Sequence, residues 1–289
     1  MPAERLRGSF GTRRTRARVD LVSSAAGVRQ PDMNDYIAEC PWENPRLEEC
    51  YFYHTFDFPD SERVEGTWTI WDFSEYIGGY DIKNKTVLDV GTASGFLTFH
   101  AERCGARVTA LDVVSMKEIR QVPFASSLSY QNRAEWVEKL GRESLVRMKK
   151  SWWYGWHKFN SRAEVFYMPL DNLMEWDRTF DVVIAGAIVE HISDPIFAIG
   201  AWARVAKEAL LIPFTTVVPT SELLMRPITS WTDPSYSYAW WELSRGLYER
   251  IFDNLGFDVE FREATARFNQ PHADYIDATR SSLIARRRG

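Results

Sequence analysis

The sequence is poor in the residues from which metal and disulfide scaffolds are built. It holds 3 cysteines, Cys40, Cys50 and Cys104, and 5 histidines in 289 residues. Three scattered thiols neither frame a disulfide-stapled domain nor supply a four-ligand zinc site. No C-x-x-C or H-x-x-x-H occurs, so no metal site is expected. The scarcity of thiols fits a reducing, cytoplasmic setting. Long apolar runs are also missing. Nothing approaches the roughly 20 residues that span a bilayer, so no membrane association is expected. An excess of positive charge is lacking too: the net charge is −5, from 35 basic and 40 acidic residues. Enzymes of nucleic acid usually neutralise phosphates with a broad basic face, so this balance argues against tRNA or DNA, although it leaves room for a local patch.

What is present suits a packed enzyme domain. Apolar residues make up 45% and charged residues 26%, a balance that fills a core and excludes wholesale disorder. The 12 tryptophans are enough to line a pocket with rings, or simply to fill the interior.

Residues 1–30 read as a loose basic tail, rich in arginine and without the apolar stretch of a secretory signal. Residues 31–80 carry turn formers and aromatics and read as an extension of irregular structure and short helices. From residue 81 the pattern becomes regular. Strands are predicted over 85–91, 106–113, 164–170, 180–188, 208–215, 258–264 and 281–287. Helices are predicted over 95–105, 194–206 and 240–257. Strands alternating with helices predict a mostly parallel sheet of seven strands with helices on both faces. Residues 114–160 are too long for a plain crossover and read as a helical insertion beside the site, closed by the aromatic cluster WWYGW. Neighbouring side chains diverge on a helix, so Trp152, Trp153, Tyr154 and Trp156 do not all share one face. A second long connection covers 216–240. The extension and the insertion are expected to roof the site.

The central signal is VLDVGTASGF. A buried strand ends at Asp89 and Val90, and a tight turn, Gly91-Thr92-Ala93-Ser94-Gly95, leads into a helix. Glycine permits positive φ and lets a ligand approach the backbone. Asp112 ends the next strand, where a carboxylate accepts both hydroxyls of a ribose. A dinucleotide site places a pyrophosphate on such a turn, and Asp89 would repel it. The ammonium of a methionine moiety would instead be attracted, which turns the reading from NAD to S-adenosylmethionine.

With those residues in view, VLDVGTASGFLTF resembles motif I of the class I S-adenosylmethionine-dependent methyltransferases. ALDV resembles the ribose-binding end of their second strand, and FDVVIAGAIVEHISDP their fourth strand and the loop after it. The resemblance implies a Rossmann-like α/β fold whose last strand is antiparallel. It implies a cofactor site of Asp89, Gly91, Thr92, Ala93, Ser94 and Gly95 with Asp112 and Val113. Met168, Pro169 and Leu170 would flank the adenine with Asp171 as a polar partner, and Gly186 and Ala187 would close the site. Ala93 departs from the usual glycine of the motif and narrows the approach. Further likeness, in YHTFDFPDSERVEGTWTIWD and AIVEHISDPIFAI, is to a subgroup related to the tRNA wobble-uridine (carboxy)methyltransferases. That subgroup includes small-molecule enzymes of specialised metabolism.

Methyl transfer mainly requires nucleophile and methyl to be held at attack distance, and a base helps when a hydroxyl or protonated amine is the nucleophile. His191, in V-E-H-I-S-D-P after the fourth strand, has a suitable pKa range. It also reads as a residue that orders its loop, with Glu190 as the alternative base. His54, among the rings of YFYHTFDF, is the second catalytic candidate, as part of a lid or as a packed histidine; His157 is a similar case. The acceptor expected first is a small molecule methylated at oxygen or nitrogen. A tRNA wobble uridine comes second, since MKKSWWYGWHK mixes bases and rings as single-strand binders do. A non-catalytic cofactor-binding scaffold comes third. The oligomeric state is left open, a homodimer included.

Overall fold

The structure, a computed structural model, describes residues 36–39, 45–115, 128–228, 239–269 and 275–289. The expected tail over 1–30, residues 116–127 of the expected insertion, and 229–238 of the second connection lie outside the described residues.

The extension supplies β1 (Phe56–Asp57), β2 (Arg63–Val64), β3 (Trp68–Ile70) and α1 (Phe73–Tyr76). Then β4 (Thr86–Val90), α2 (Phe96–Arg103) and β5 (Arg107–Asp112) follow, and α3 (Leu128–Phe159) leads to β6 (Glu164–Tyr167). The second half runs β7 (Phe180–Ile184), α4 (Pro195–Val205), β8 (Ala206–Thr215), β9 (Val217–Val218), β10 (Met225–Pro227), β11 (Trp241–Ser244), α5 (Arg245–Asn254), β12 (Phe257–Phe268) and β13 (Ile276–Arg287). The main sheet has the order β3-β12-β13-β8-β7-β4-β5-β6. The pairs among β8, β7, β4, β5 and β6 are parallel, and β13 runs antiparallel to both β8 and β12.

This is the Rossmann-like sheet that the resemblance implies, with one strand more than expected. The eighth is β3, which pairs antiparallel with β12 from Trp68↔Phe268 to Ile70↔Ala266. Three residues are too few to show a period of two, so nothing in the sequence around 31–80 announced a strand there. The helix expected from residue 240 begins at Arg245 instead. Ser244 caps it, its hydroxyl accepting from the Leu247 N–H at 3.1 Å, and Trp241–Ser244 form β11, paired with β9 and β10.

Alternation along the central strands divides the core into two layers. Val87, Val182, Ile184, Ala209 and Leu211 face the layer of α2 and α3, whereas Leu88, Val90, Val183, Leu210 and Ile212 face that of α4 and α5. Burial on both faces explains why these strands read as continuous apolar runs. Trp152 and Trp153 are buried in the first layer, and Tyr154, Trp156 and Phe159 pack against it; the aromatic cluster of the insertion thus docks α3 onto the core. His157, in contrast, is exposed.

Candidate functional site at the carboxyl ends of the parallel strands

Parallel strands end at a common edge, and ligands of such sheets sit there, where the crossovers change direction. At this edge β4 turns through Gly91 (φ 75°), Ala93 (φ 50°) and Gly95 (φ 88°) into α2. The turn is pinned by N–H bonds from Gly91 and Thr92 to the Leu111 carbonyl, at 2.8 and 3.1 Å. Ala93 shows why the motif prefers glycine there: its backbone is left-handed, a conformation that costs an L-residue roughly 1–2 kcal/mol. The constraint is therefore conformational as well as the steric one expected from sequence. In return its N–H points at Asp112, donating to Oδ2 at 2.8 Å.

Two carboxylates flank the turn. Asp89 is 1% exposed; its Oδ2 accepts from the Thr98 hydroxyl at 2.6 Å, and its Oδ1 has no hydrogen-bond partner. Burial pushes its pKa up to about 6, against the pull of hydrogen bonds from Thr98 and Thr92. Asp112 is half-buried and accepts one backbone N–H on each oxygen, from Ala93 and from Val113 (2.7 Å). Burial raises its pKa as well. Each of its oxygens keeps a second lone pair for a further donor.

The ends of β6 and β7 complete the rim. The Met168 N–H donates to the Asp112 carbonyl at 2.9 Å, which brings the chain of Met168, Pro169 and Leu170 beside the carboxylate, with half-buried Asp171 in the turn that follows. The Met168 side chain is completely buried in the second core layer, so this residue presents main chain to the rim. Gly186 follows β7, and a Cβ there would lie 2.8 Å from Leu97 and 3.9 Å from the Tyr76 hydroxyl. Ala187 (φ 48°) donates to the Pro213 carbonyl at 2.9 Å.

Beyond Gly186 stands a polar cluster that the sequence reading named only through Glu190. The Glu190 carboxylate, 4% exposed, meets Arg280 Nη1 at 3.4 Å and accepts from the Thr215 hydroxyl at 3.3 Å. The Arg280 guanidinium lies over the rings of Phe214 (5.0 Å) and Trp68 (5.7 Å). Tyr76 stacks on Phe214 at 5.6 Å. Half-buried Tyr53 has its pKa pushed up to about 12, by burial first and then by the Glu190 charge. Arg280 escaped notice because the final strand was expected to begin at residue 281. The strand begins at Ile276, and a lone arginine ahead of SSLIA was the one available signal.

His191 ends a short turn, Val189–His191, and is half-buried at this rim. His54 is placed differently. It is 8% exposed and lies between Tyr53 (4.9 Å) and Phe96 (5.0 Å). Burial lowers its pKa to about 3, with His100 adding to the shift, so at neutral pH it is too weak a base to take a proton. The extension nonetheless reaches the turn: the Tyr53 N–H donates to Ser94 Oγ at 3.1 Å, and the Tyr51 N–H to Ser151 Oγ of α3 at 2.8 Å. Among the described residues no group of three or more His, Cys, Asp or Glu gathers to hold a metal, and no helix is long and apolar enough to cross a membrane.

Comparison with known proteins agrees with this geometry. The family profile described as a methyltransferase domain matches residues 64–261, more than half of the chain. No curated protein matches. Among solved structures, the N-terminal domain of EvdMO1 with SAH bound is 16% identical, with a TM-score of 0.48, covering 83% of this chain and 93% of that one. Magnesium protoporphyrin IX methyltransferase (ChlM) from Synechocystis PCC 6803 with bound SAH is 14% identical, with a TM-score of 0.45 and coverages of 75% and 80%. A putative RNA methyltransferase, PH1948 from Pyrococcus horikoshii, is 12% identical, with a TM-score of 0.40 and coverages of 74% and 78%. All three are distant likenesses, and the family match and this chain's own geometry carry the assignment.

Proposed function

This chain belongs to the methyltransferase-domain family, with S-adenosylmethionine as its cofactor, and from that premise we propose that it methylates an oxygen or nitrogen of a small molecule. The small molecule is one of the specialised metabolism that the sequence resemblance implies, made in the cytoplasm. The unpaired thiols of Cys50 and Cys104 support that setting.

The residues at the turn fit the cofactor. Asp89 Oδ1 is a buried carboxylate oxygen without a donor, and an ammonium supplies both the donor and the opposite charge. Asp112 offers its free lone pairs to the two ribose hydroxyls. Gly91, Thr92, Ala93, Ser94 and Gly95 bring main chain close to the methionine moiety. Val113, Pro169, Asp171 and the backbones of Met168 and Leu170 bound the adenine, and Gly186 and Ala187 leave room beside the methyl group. Bound S-adenosylmethionine supplies an electrophilic methyl carbon on a sulfonium.

The observation that carries the acceptor class is the cluster of Glu190 and Arg280. It sits beside Gly186 and is walled by Trp68, Phe214 and Tyr76. Its one cation is already neutralised by Glu190, so it is not a phosphate contact of the kind RNA binding multiplies. Buried polar groups among aromatic rings match the composition of a small-molecule pocket. His191 is the proposed base, taking the acceptor's proton as the methyl arrives, with Glu190 orienting the acceptor.

The test is transfer of labelled methyl from the cofactor to small-molecule and tRNA fractions of the host. Label in a small metabolite, reduced 100-fold or more in His191→Ala with cofactor affinity intact, supports acceptor class and base together. Label in tRNA overturns the acceptor class, and bound cofactor with no transfer to either fraction marks a scaffold.

A further inference from the structure

Three hydroxyl and indole donors form a directed chain behind Asp89. Thr98 Oγ1 lies 2.6 Å from Asp89 Oδ2, and both residues are buried, at 0% and 1% exposure. Ionised Asp89 only accepts, so Thr98 spends its single proton there. The Thr92 hydroxyl, 2.9 Å from Thr98 Oγ1, therefore gives its proton to Thr98 or directly to Asp89, whose pKa it also lowers. Thr92, its own proton committed, accepts from the indole N–H of Trp152 at 3.2 Å. The order runs from Trp152 to Thr92 and on to Asp89, through Thr98 or directly. Each donation polarises the next, and all four side chains are buried, at exposures of 0%, 3%, 0% and 1%.

The chain begins on α3, outside the glycine turn and its two strands. We propose that Trp152 is a positioning residue for the cofactor: through Thr92 and Thr98 it keeps Asp89 ionised and its Oδ1 turned to the ammonium. This rests on Asp89 holding the ammonium. Because Thr98 occupies Oδ2, a proton taken up by Asp89 goes to Oδ1. That oxygen then becomes a donor and opposes an ammonium. The charges facing Asp89 push the same way: the Asp112 carboxylate on β5 favours the protonated acid, and the Tyr76 hydroxyl on α1 is neutral at working pH. The Thr98 and Thr92 hydroxyls, with the Thr98 backbone N–H, work against them. With Asp89 already titrating near pH 6, losing the chain moves its protonation into the neutral range.

The experiment is calorimetric titration with S-adenosylhomocysteine between pH 5.5 and 8.5, for the wild type and for Trp152→Phe, Thr92→Val, Thr92→Ser and Asp89→Asn. Wild-type affinity should fall below about pH 6. Trp152→Phe and Thr92→Val should shift that fall upward by about one pH unit, binding about eightfold more weakly at pH 5.5, about twofold at pH 7 and near wild type at pH 8.5. Thr92→Ser keeps the hydroxyl and should keep the wild-type profile. Two independent breaks in the chain guard against one variant failing to fold. A profile parallel to wild type in both, whether uniformly weaker or unchanged, assigns Trp152 to packing alone and overturns the proposal. Asp89→Asn separates the underlying reading: wild-type affinity in that variant would refute Asp89 as the ammonium's partner, whatever the relay does.

Discussion

Gly91 and Gly95 both sit at positive φ, yet their surroundings differ. A Cβ at Gly91 would meet the Cγ2 of Ile188 at 3.0 Å, a methyl on a branched Cβ that has to give by a few tenths of an ångström. At Gly95 it would meet the Phe99 ring at 2.4 Å and Trp152 at 2.9 Å, inside the packed contact of α2 with α3. Gly91→Ala should therefore cost about 2 kcal/mol, the left-handed penalty with a small steric addition from Ile188. Gly95→Ala should cost about 3–4 kcal/mol, since overpacking adds to it. Urea unfolding of the two variants checks the order. Asp89 makes a second prediction of opposite sign. Its folded pKa, about 6, is raised above the unfolded value, so its ionisation penalises the fold fully above pH 6, less as pH falls, and little near pH 4. Asp89→Asn should stabilise the cofactor-free protein by roughly 1–3 kcal/mol at pH 8, a gain that shrinks toward pH 4. The same change should abolish tight cofactor binding, so stability and function would part at one residue. A loss of stability at pH 8 would contradict the buried, ionised carboxylate.

Among the elements, those whose fate depends on their own sequence were legible before the structure. β4, the glycine turn, α2 and β5 carry apolar runs and left-handed positions within a short stretch, and they lie where they were expected. The α3 helix was legible as a helix, but its tryptophans were open between a substrate wall and the core. Only packing against Phe99 and its neighbours decides for the core. Elements that borrow a distant partner were hidden. β3 exists because β12 offers an edge, and Arg280 belongs to the site because β13 extends five residues further toward it than the apolar pattern of residues 281–287 implies. Glu190 and Arg280 are 90 residues apart in the chain, a separation no local pattern reports. Coupling between elements gives a further prediction. The Tyr53 N–H is bonded to Ser94, so ligand at the turn should slow amide exchange in residues 51–55 of the extension as well as in residues 91–99. Protection confined to the turn would mean that the extension closes over the site independently of it.

For the molecule as a whole, buried histidines set the acid limit. His54 and His100 have pKa values lowered to about 3 and about 4 by burial, so the folded state holds them neutral. Their contribution to stability is complete above the unfolded value near 6.5 and is lost as pH falls through the folded values. At pH 5 each should cost about 2 kcal/mol, outweighing the roughly 1 kcal/mol that Asp89 returns. The midpoint of thermal unfolding should accordingly be about 5–10 °C lower at pH 5 than at pH 7, and a double His54→Gln, His100→Gln variant should lose most of that difference. The central claim is that the edge formed by β4 and β5 holds S-adenosylmethionine through Asp89 and Asp112. Calorimetric titration with S-adenosylhomocysteine tests it most directly, with NADH as the competing ligand and Asp112→Asn as the variant. The account predicts one micromolar site for S-adenosylhomocysteine, at least tenfold weaker in Asp112→Asn, and no binding of NADH. No heat at millimolar S-adenosylhomocysteine, tighter binding of NADH, or unchanged affinity in the variant would contradict it.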